Sequence, residues 1–229
     1  MFFDPMYLVI VLPGILLGLW ATFKTKTTFE HYSHEVSAKG ITGAQAAARL
    51  LEGAGIRDVR IEEVDGFLSD HYDPSARVLR LSPGVYRSAS IAAIGVACHE
   101  AGHAIQHATG YGALGLRTAL VPAVNIASPG AYLFLLAGMI LNFPPLIWVG
   151  ILCFTMAVIF SLITLPVEYD ASERAKKLMV SAGIVTPAEA KGAAEVLSAA
   201  FLTYVAAAVT ALLTLLYYLY RAGLLNRRD

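Results

Sequence analysis

The segment His99-Glu100-Ala101-Gly102-His103 has the residue types and the spacing to do hydrolytic chemistry. On a helix, side chains four apart lie on one face, so both imidazoles can reach one metal ion, with Glu100 beside them to act on a water held by that ion. Such a pair suits Zn2+, which in catalytic sites takes three protein ligands and keeps a fourth position open. The bland alternative is a pair of core or capping histidines. However, residues 89–109 around the motif are Ala-rich, free of proline and followed by Gly110, as a long helix requires.

A third ligand must come from elsewhere, and the candidates are His107, Glu168, Asp170 and the more distant His31, His34 and His71. His107 lies eight residues past His99, about 12 Å along a helix, so one straight helix cannot offer both to one ion. It is expected to support the site or to face substrate. Glu168 is favoured, in the segment Leu165-Pro166-Val167-Glu168-Tyr169-Asp170-Ala171-Ser172-Glu173-Arg174-Ala175. Pro166 predicts a break at the membrane surface, after which a new helix would aim its first-turn carboxylate at the metal. Asp170 is then expected to accept a hydrogen bond from a ligand histidine. The competing view leaves Glu168 and Asp170 as charges that a helix N-terminus favours. A developing oxyanion needs a further donor. His71, Tyr72, Tyr169, Arg174 and His107 are all able to supply one, with His71 preferred because it precedes a strand. Cys98 points about 100° away from His99 around the helix and reads as a buried spectator, and Cys153 as packing. Gly102 is small enough to admit a close neighbour.

The elements that must position these groups follow from where charge is missing. Of 229 residues, 57% are apolar and 15% charged, against about 25% charged in soluble domains. Mean hydropathy is +0.61. Seventeen basic and 17 acidic residues cancel, which excludes a polybasic nucleic-acid binder, and the apolar content excludes disorder. Two cysteines are too few for a disulfide framework. Charge-free runs cover residues 6–23, 118–142, 143–167 and 201–220, each near the roughly 20 residues a helix needs to cross a bilayer. Asn142-Phe143-Pro144-Pro145 predicts a tight hairpin between the second and third. Pro122, Asn125 and Ser128-Pro129-Gly130 predict an irregular second span. The leading segment has an Asp and no basic residue, and no small-residue cleavage site precedes Lys24, so the first run reads as an uncleaved anchor. With the N-terminus outside, Lys24, Lys26, Arg117, Arg174, Lys176, Lys177 and Lys191 fall on the cytoplasmic side and Arg221, Arg227 and Arg228 on the other, which favours cytoplasmic loops.

The polar stretches supply the rest. Residues 42–53 read as a short capped helix, 59–64 and 77–81 as strands, and 168–200 as two helices parted near Gly183 to Pro187. The fold class expected is a mostly α integral membrane protein, with about four transmembrane helices and a small α+β zincin-like catalytic domain. Its parts would be an anchor at 1–23, the catalytic region at 24–117, a transmembrane hairpin at 118–167, third-ligand and amphipathic helices at 168–200, and a last span with a basic tail at 201–229.

The HEAGHAIQH block, the upstream SDHYDPSARVLRLSPGVY, LRTALVPAVNIAS and LPVEYDASERA together resemble the YugP-type neutral zinc metallopeptidases. These are bacterial integral membrane proteins related in architecture to the HtpX family of gluzincin proteases. The resemblance covers roughly residues 25–205. It implies His99 and His103 as zinc ligands, Glu100 as catalytic base and Glu168 as third ligand. It further implies that residues 77–82 form an edge strand pairing with an extended substrate, and that substrates are peptides or membrane proteins. In the HtpX-type pattern an Asp stands four residues after the third ligand. Here Ser172 does, with Asp170 at plus two. One rival is a site-2-type intramembrane protease, which takes an Asp from an Asp-Gly motif in a span. The single Asp-Gly here is Asp65-Gly66, upstream. Another is a metal-binding membrane scaffold without catalysis.

Overall fold

The structure, a computed structural model, describes residues 4–66 and 69–225. Arg227 and Arg228 lie outside them. The elements run α1 (Pro5–Ser33), α2 (Gly43–Gly53), β1 (Arg60–Glu63), β2 (His71–Asp73), β3 (Val78–Leu81), α3 (Pro83–Tyr86), α4 (Ile91–Ala108), α5 (Gly112–Ile140), α6 (Pro144–Ser181) and α7 (Pro187–Leu225). Four helices are long and apolar enough to cross a membrane: α1, α5, α6 and α7. The protein is a mostly helical integral membrane protein with a small α+β part, and α4 is not among the candidate spans. The chain divides into two compact units, one of residues 1–21, 116–166 and 203–229, the other of residues 22–115 and 167–202.

The first unit holds the apolar stretches. The α5–α6 hairpin turns at Asn142, whose φ of 48° is left-handed, a region Asn tolerates better than most residues. Its two helices touch closely, because a Cβ on Gly150 would lie 2.9 Å from the Leu135 backbone nitrogen. Val11, Leu135, Ile151, Phe154 and Tyr217 form the core, while Leu133, Ile140 and Leu152 face outward as lipid contact demands. Asp4 accepts from the Tyr217 hydroxyl at 2.9 Å and lies 3.6 Å from Arg221.

One proline-based expectation is corrected. Pro166 does not break the chain, since α6 runs through it, just as α5 runs through Pro122 and Pro129. A proline removes one backbone donor, whereas ending a helix in apolar surroundings would strand several polar groups, so continuity costs less. The 168–200 stretch is therefore the end of α6 and the start of α7. Between them Gly183 takes φ 61°, and Thr186 and Glu189 cap α7 reciprocally.

The second unit is built around α4. Thr42 and Gln45 form a capping box that starts α2, and its apolar face of Ala46, Ala47, Leu50 and Leu51 packs with Ala93, Ile94 and Ala97 of α4 in one core. Ser90 caps α4 by accepting from Ala93 N–H, and Gly110 in the left-handed region follows its end. A three-stranded sheet of order β1-β3-β2 joins the same core, with β1 parallel and β2 antiparallel to β3. Hence β3, the strand expected at the edge for substrate pairing, is central, and β1 and β2 are the edges among the described residues. Composition explains the order. Val78, Leu79 and Leu81 are wholly buried in β3, whereas Arg-Ile-Glu-Glu and His-Tyr-Asp suit exposed edges.

Candidate metal centre

His99 and His103 stand one turn apart on α4 with ring centroids 4.8 Å apart and planes at 81°. Into the gap comes Glu168 from α6, only 2% exposed. Its Oε2 lies 3.2 Å from Nε2 of His99 and 3.6 Å from Nε2 of His103. One ligand atom from each residue falls within 4.8 Å of the others. Two imidazoles and one carboxylate, drawn together in a largely buried site, match the His2Glu donor set of catalytic zinc. The residues present fit the ion.

Glu168 reaches this point because α4 and α6 nearly touch. A Cβ on Gly102 would sit 2.6 Å from the carbonyl oxygen of Ala171. The motif glycine is thus the contact that lets a carboxylate three residues before Ala171 meet the imidazoles.

Both rings are held from behind, as ligand histidines usually are. Nδ1 of His99 lies 3.1 Å from the Ser172 hydroxyl, at the position where the HtpX-type pattern has Asp. Nδ1 of His103 lies 3.0 Å from Oε1 of Gln106, whose amide nitrogen donates to the Val167 carbonyl and to Asp170, each at 2.8 Å. Asp170 also accepts from Arg174 at 2.5 Å, and the Arg174 guanidinium sits 5.7 Å from the Tyr111 ring centroid. Asp170 does not meet a ligand ring directly; it acts on Gln106. Sequence reasoning missed Gln106, although its place three residues after His103 on one helix face was the available signal. Burial lowers the affinity of His103 for a second proton, but its hydrogen bond to Glu168 and the charges of Glu100 and Glu168 outweigh this and raise its pKa.

Glu100 is half-buried, next to the pair. His107 is not brought into the cluster. Its Nδ1 lies 2.8 Å from the Tyr72 hydroxyl on β2, and burial holds the Tyr72 phenol above its usual pKa. His71 is exposed, donating from Nδ1 to the Ser69 carbonyl at 2.7 Å. His31 faces Glu35 at 3.3 Å, apart from the cluster. Tyr169 is 54% exposed and stacks edge-on with Phe201. Cys98 is fully buried, with its thiol pushed up to about 12.

A family model described as "Putative neutral zinc metallopeptidase" matches residues 7–223. A curated relative from Bacillus subtilis (strain 168), "Putative membrane protease YugP", is 49% identical over 224 residues, which cover 98% of this chain and 99% of that protein. No solved structure matches the chain.

Proposed function

The chain belongs to the family described as putative neutral zinc metallopeptidases, and from that premise we propose a membrane-embedded zinc endopeptidase that hydrolyses peptide bonds of membrane or unfolded proteins. The observation carrying this reading is the convergence of His99, His103 and Glu168 within 4.8 Å beside Glu100. His99, His103 and Glu168 hold the ion. Bound zinc supplies Lewis acidity and brings the pKa of water from about 15.7 towards 7. Glu100 takes the proton of the attacking water and hands it to the leaving amine. Substrate in extended form pairs with an edge of the sheet, which supports sequence-tolerant recognition. Since β3 is interior, the edge that serves is β2, whose Tyr72 already meets α4 through His107. Donors for the oxyanion come from among His71, Tyr72, Tyr169, Arg174 and His107. The basic residues flanking the spans support a site at the cytoplasmic face of a bacterial cell membrane.

The test is metal content of the purified full chain beside His103→Ala, Glu168→Ala and Glu100→Gln, with cleavage of unfolded casein in parallel. Wild type carries zinc and cleaves, and the two ligand variants lose both. Glu100→Gln keeps zinc and loses cleavage by at least about a hundredfold, the scale of a general base. Wild type without zinc ends the proposal, and full zinc in Glu168→Ala ends that residue's assignment.

A further inference from the structure

We propose that Gln106 is a positioning residue that fixes His103 in its Nδ1–H form and so presents the Nε2 lone pair to the ion. The inference rests on the zinc reading above. Gln106 has no exposed surface, and every polar atom of its side chain is engaged. Its nitrogen faces the Val167 carbonyl and the Asp170 carboxylate, and both of these only accept hydrogen bonds. The amide can stand in one orientation only, because a flip would set its oxygen against two acceptors. Oxygen Oε1 is therefore what meets Nδ1 of His103, and that nitrogen must carry the proton. In the neutral ring the free lone pair is then on Nε2, the atom turned towards Glu168.

Asp170 is fixed in turn by Arg174. The polarity thus runs one way, with Asp170 accepting from both Arg174 and Gln106 while Gln106 accepts from His103. His99 has no such control, since the Ser172 hydroxyl both donates and accepts and suits either tautomer. Gln106 has a second effect through its bond to the Val167 carbonyl, which ties α4 to the backbone one residue before Glu168. One side chain orients one ligand and braces the segment bearing another. This also accounts for an Asp two residues, rather than four, after Glu168: it works at one remove, on the amide.

The experiment uses the full chain in detergent, metal-free and with zinc. With 15N-labelled imidazoles, and His103→Ala to identify the signal, neutral His103 shows a protonated Nδ1 and a bare Nε2 in wild type. Gln106→Leu mixes the tautomers and weakens zinc binding, measured by chelator competition, by about 10- to 100-fold. Asp170→Asn, whose amide oxygen can still accept from both Gln106 and Arg174, keeps the tautomer and most of the affinity. A wild type in the Nε2–H form, or zinc affinity unchanged in Gln106→Leu, overturns the inference. Should Gln106→Leu not fold, the wild-type tautomer decides. A wild type that binds no zinc overturns the zinc reading, while the tautomer measurement still decides the role of Gln106.

Discussion

Ser172 Oγ lies 3.1 Å from Nδ1 of His99, and Ser172 stands one helical turn after Glu168 on α6. One face of α6 thus offers a carboxylate to the front of the candidate metal cluster and a hydroxyl to the back of one of its imidazoles. The bond is neutral where the HtpX-type pattern would make it ionic. Ser172→Ala is therefore expected to weaken zinc binding by about tenfold, the lower end for a supporting group. It should cost about 1 kcal/mol of stability. Zinc titration against a competing chelator checks the first and thermal unfolding the second. Unchanged affinity would show that the contact does not orient His99.

Two glycines of α4 are expected to respond oppositely to alanine. In Gly102→Ala the new methyl meets the Ala171 carbonyl oxygen at 2.6 Å, a backbone atom that cannot step aside alone. Overpacking of this kind costs about 1–3 kcal/mol, and by forcing α6 off α4 it should also lower bound zinc. In Gly95→Ala the nearest atom is the Ala193 Cβ at 3.5 Å, an ordinary contact. That variant should be neutral or gain up to about 1 kcal/mol from helix propensity. Melting temperature and metal content of the pair decide it.

His107 tests the boundary of the cluster. Because its Nδ1 is taken by Tyr72 and the helix carries it away from the His99, His103 and Glu168 cluster, His107→Ala should retain wild-type zinc stoichiometry. Tyr72→Phe should do the same and lose about 1 kcal/mol of stability with the hydrogen bond. Zinc lost from His107→Ala would mean that α4 rearranges to bring a third imidazole to the metal.

The turn into β3 carries a pH dependence. Asp73 accepts from the N–H groups of Ala76 and Ser75 and from Arg80, and these bonds hold its pKa below the ordinary 3.8. A carboxyl depressed on folding stabilises the protein above its unfolded pKa, and that contribution is lost as pH falls through the folded one. Wild type should therefore be more stable than Asp73→Asn at neutral pH, with the gap narrowing below about pH 4. Thermal unfolding of both proteins from pH 7 to pH 3 measures this, and a constant gap would refute it.

The sequence by itself determined the parts that depend on neighbours along the chain. Charge-free runs marked four membrane helices, since a buried charge in lipid is costly whatever the partners. The stretch from Thr42 to Gly53 announced a short capped helix, because caps are made by neighbours along the chain, and Gln45 closes the box at its start. The four-residue interval set His99 and His103 on one face before any packing was known. Tertiary structure decided what depends on distant partners. Glu168 meets the imidazoles from 69 positions beyond His99 because Gly102 leaves no side chain between α4 and the Ala171 carbonyl. Gln106 became a support only when α6 placed Val167 and Asp170 against its amide. The central place of β3 was settled by competition among three strands for the apolar interior. The persistence of α6 through Pro166 was settled by the helix around it, where one missing hydrogen bond counts for less than a row of unsatisfied ones.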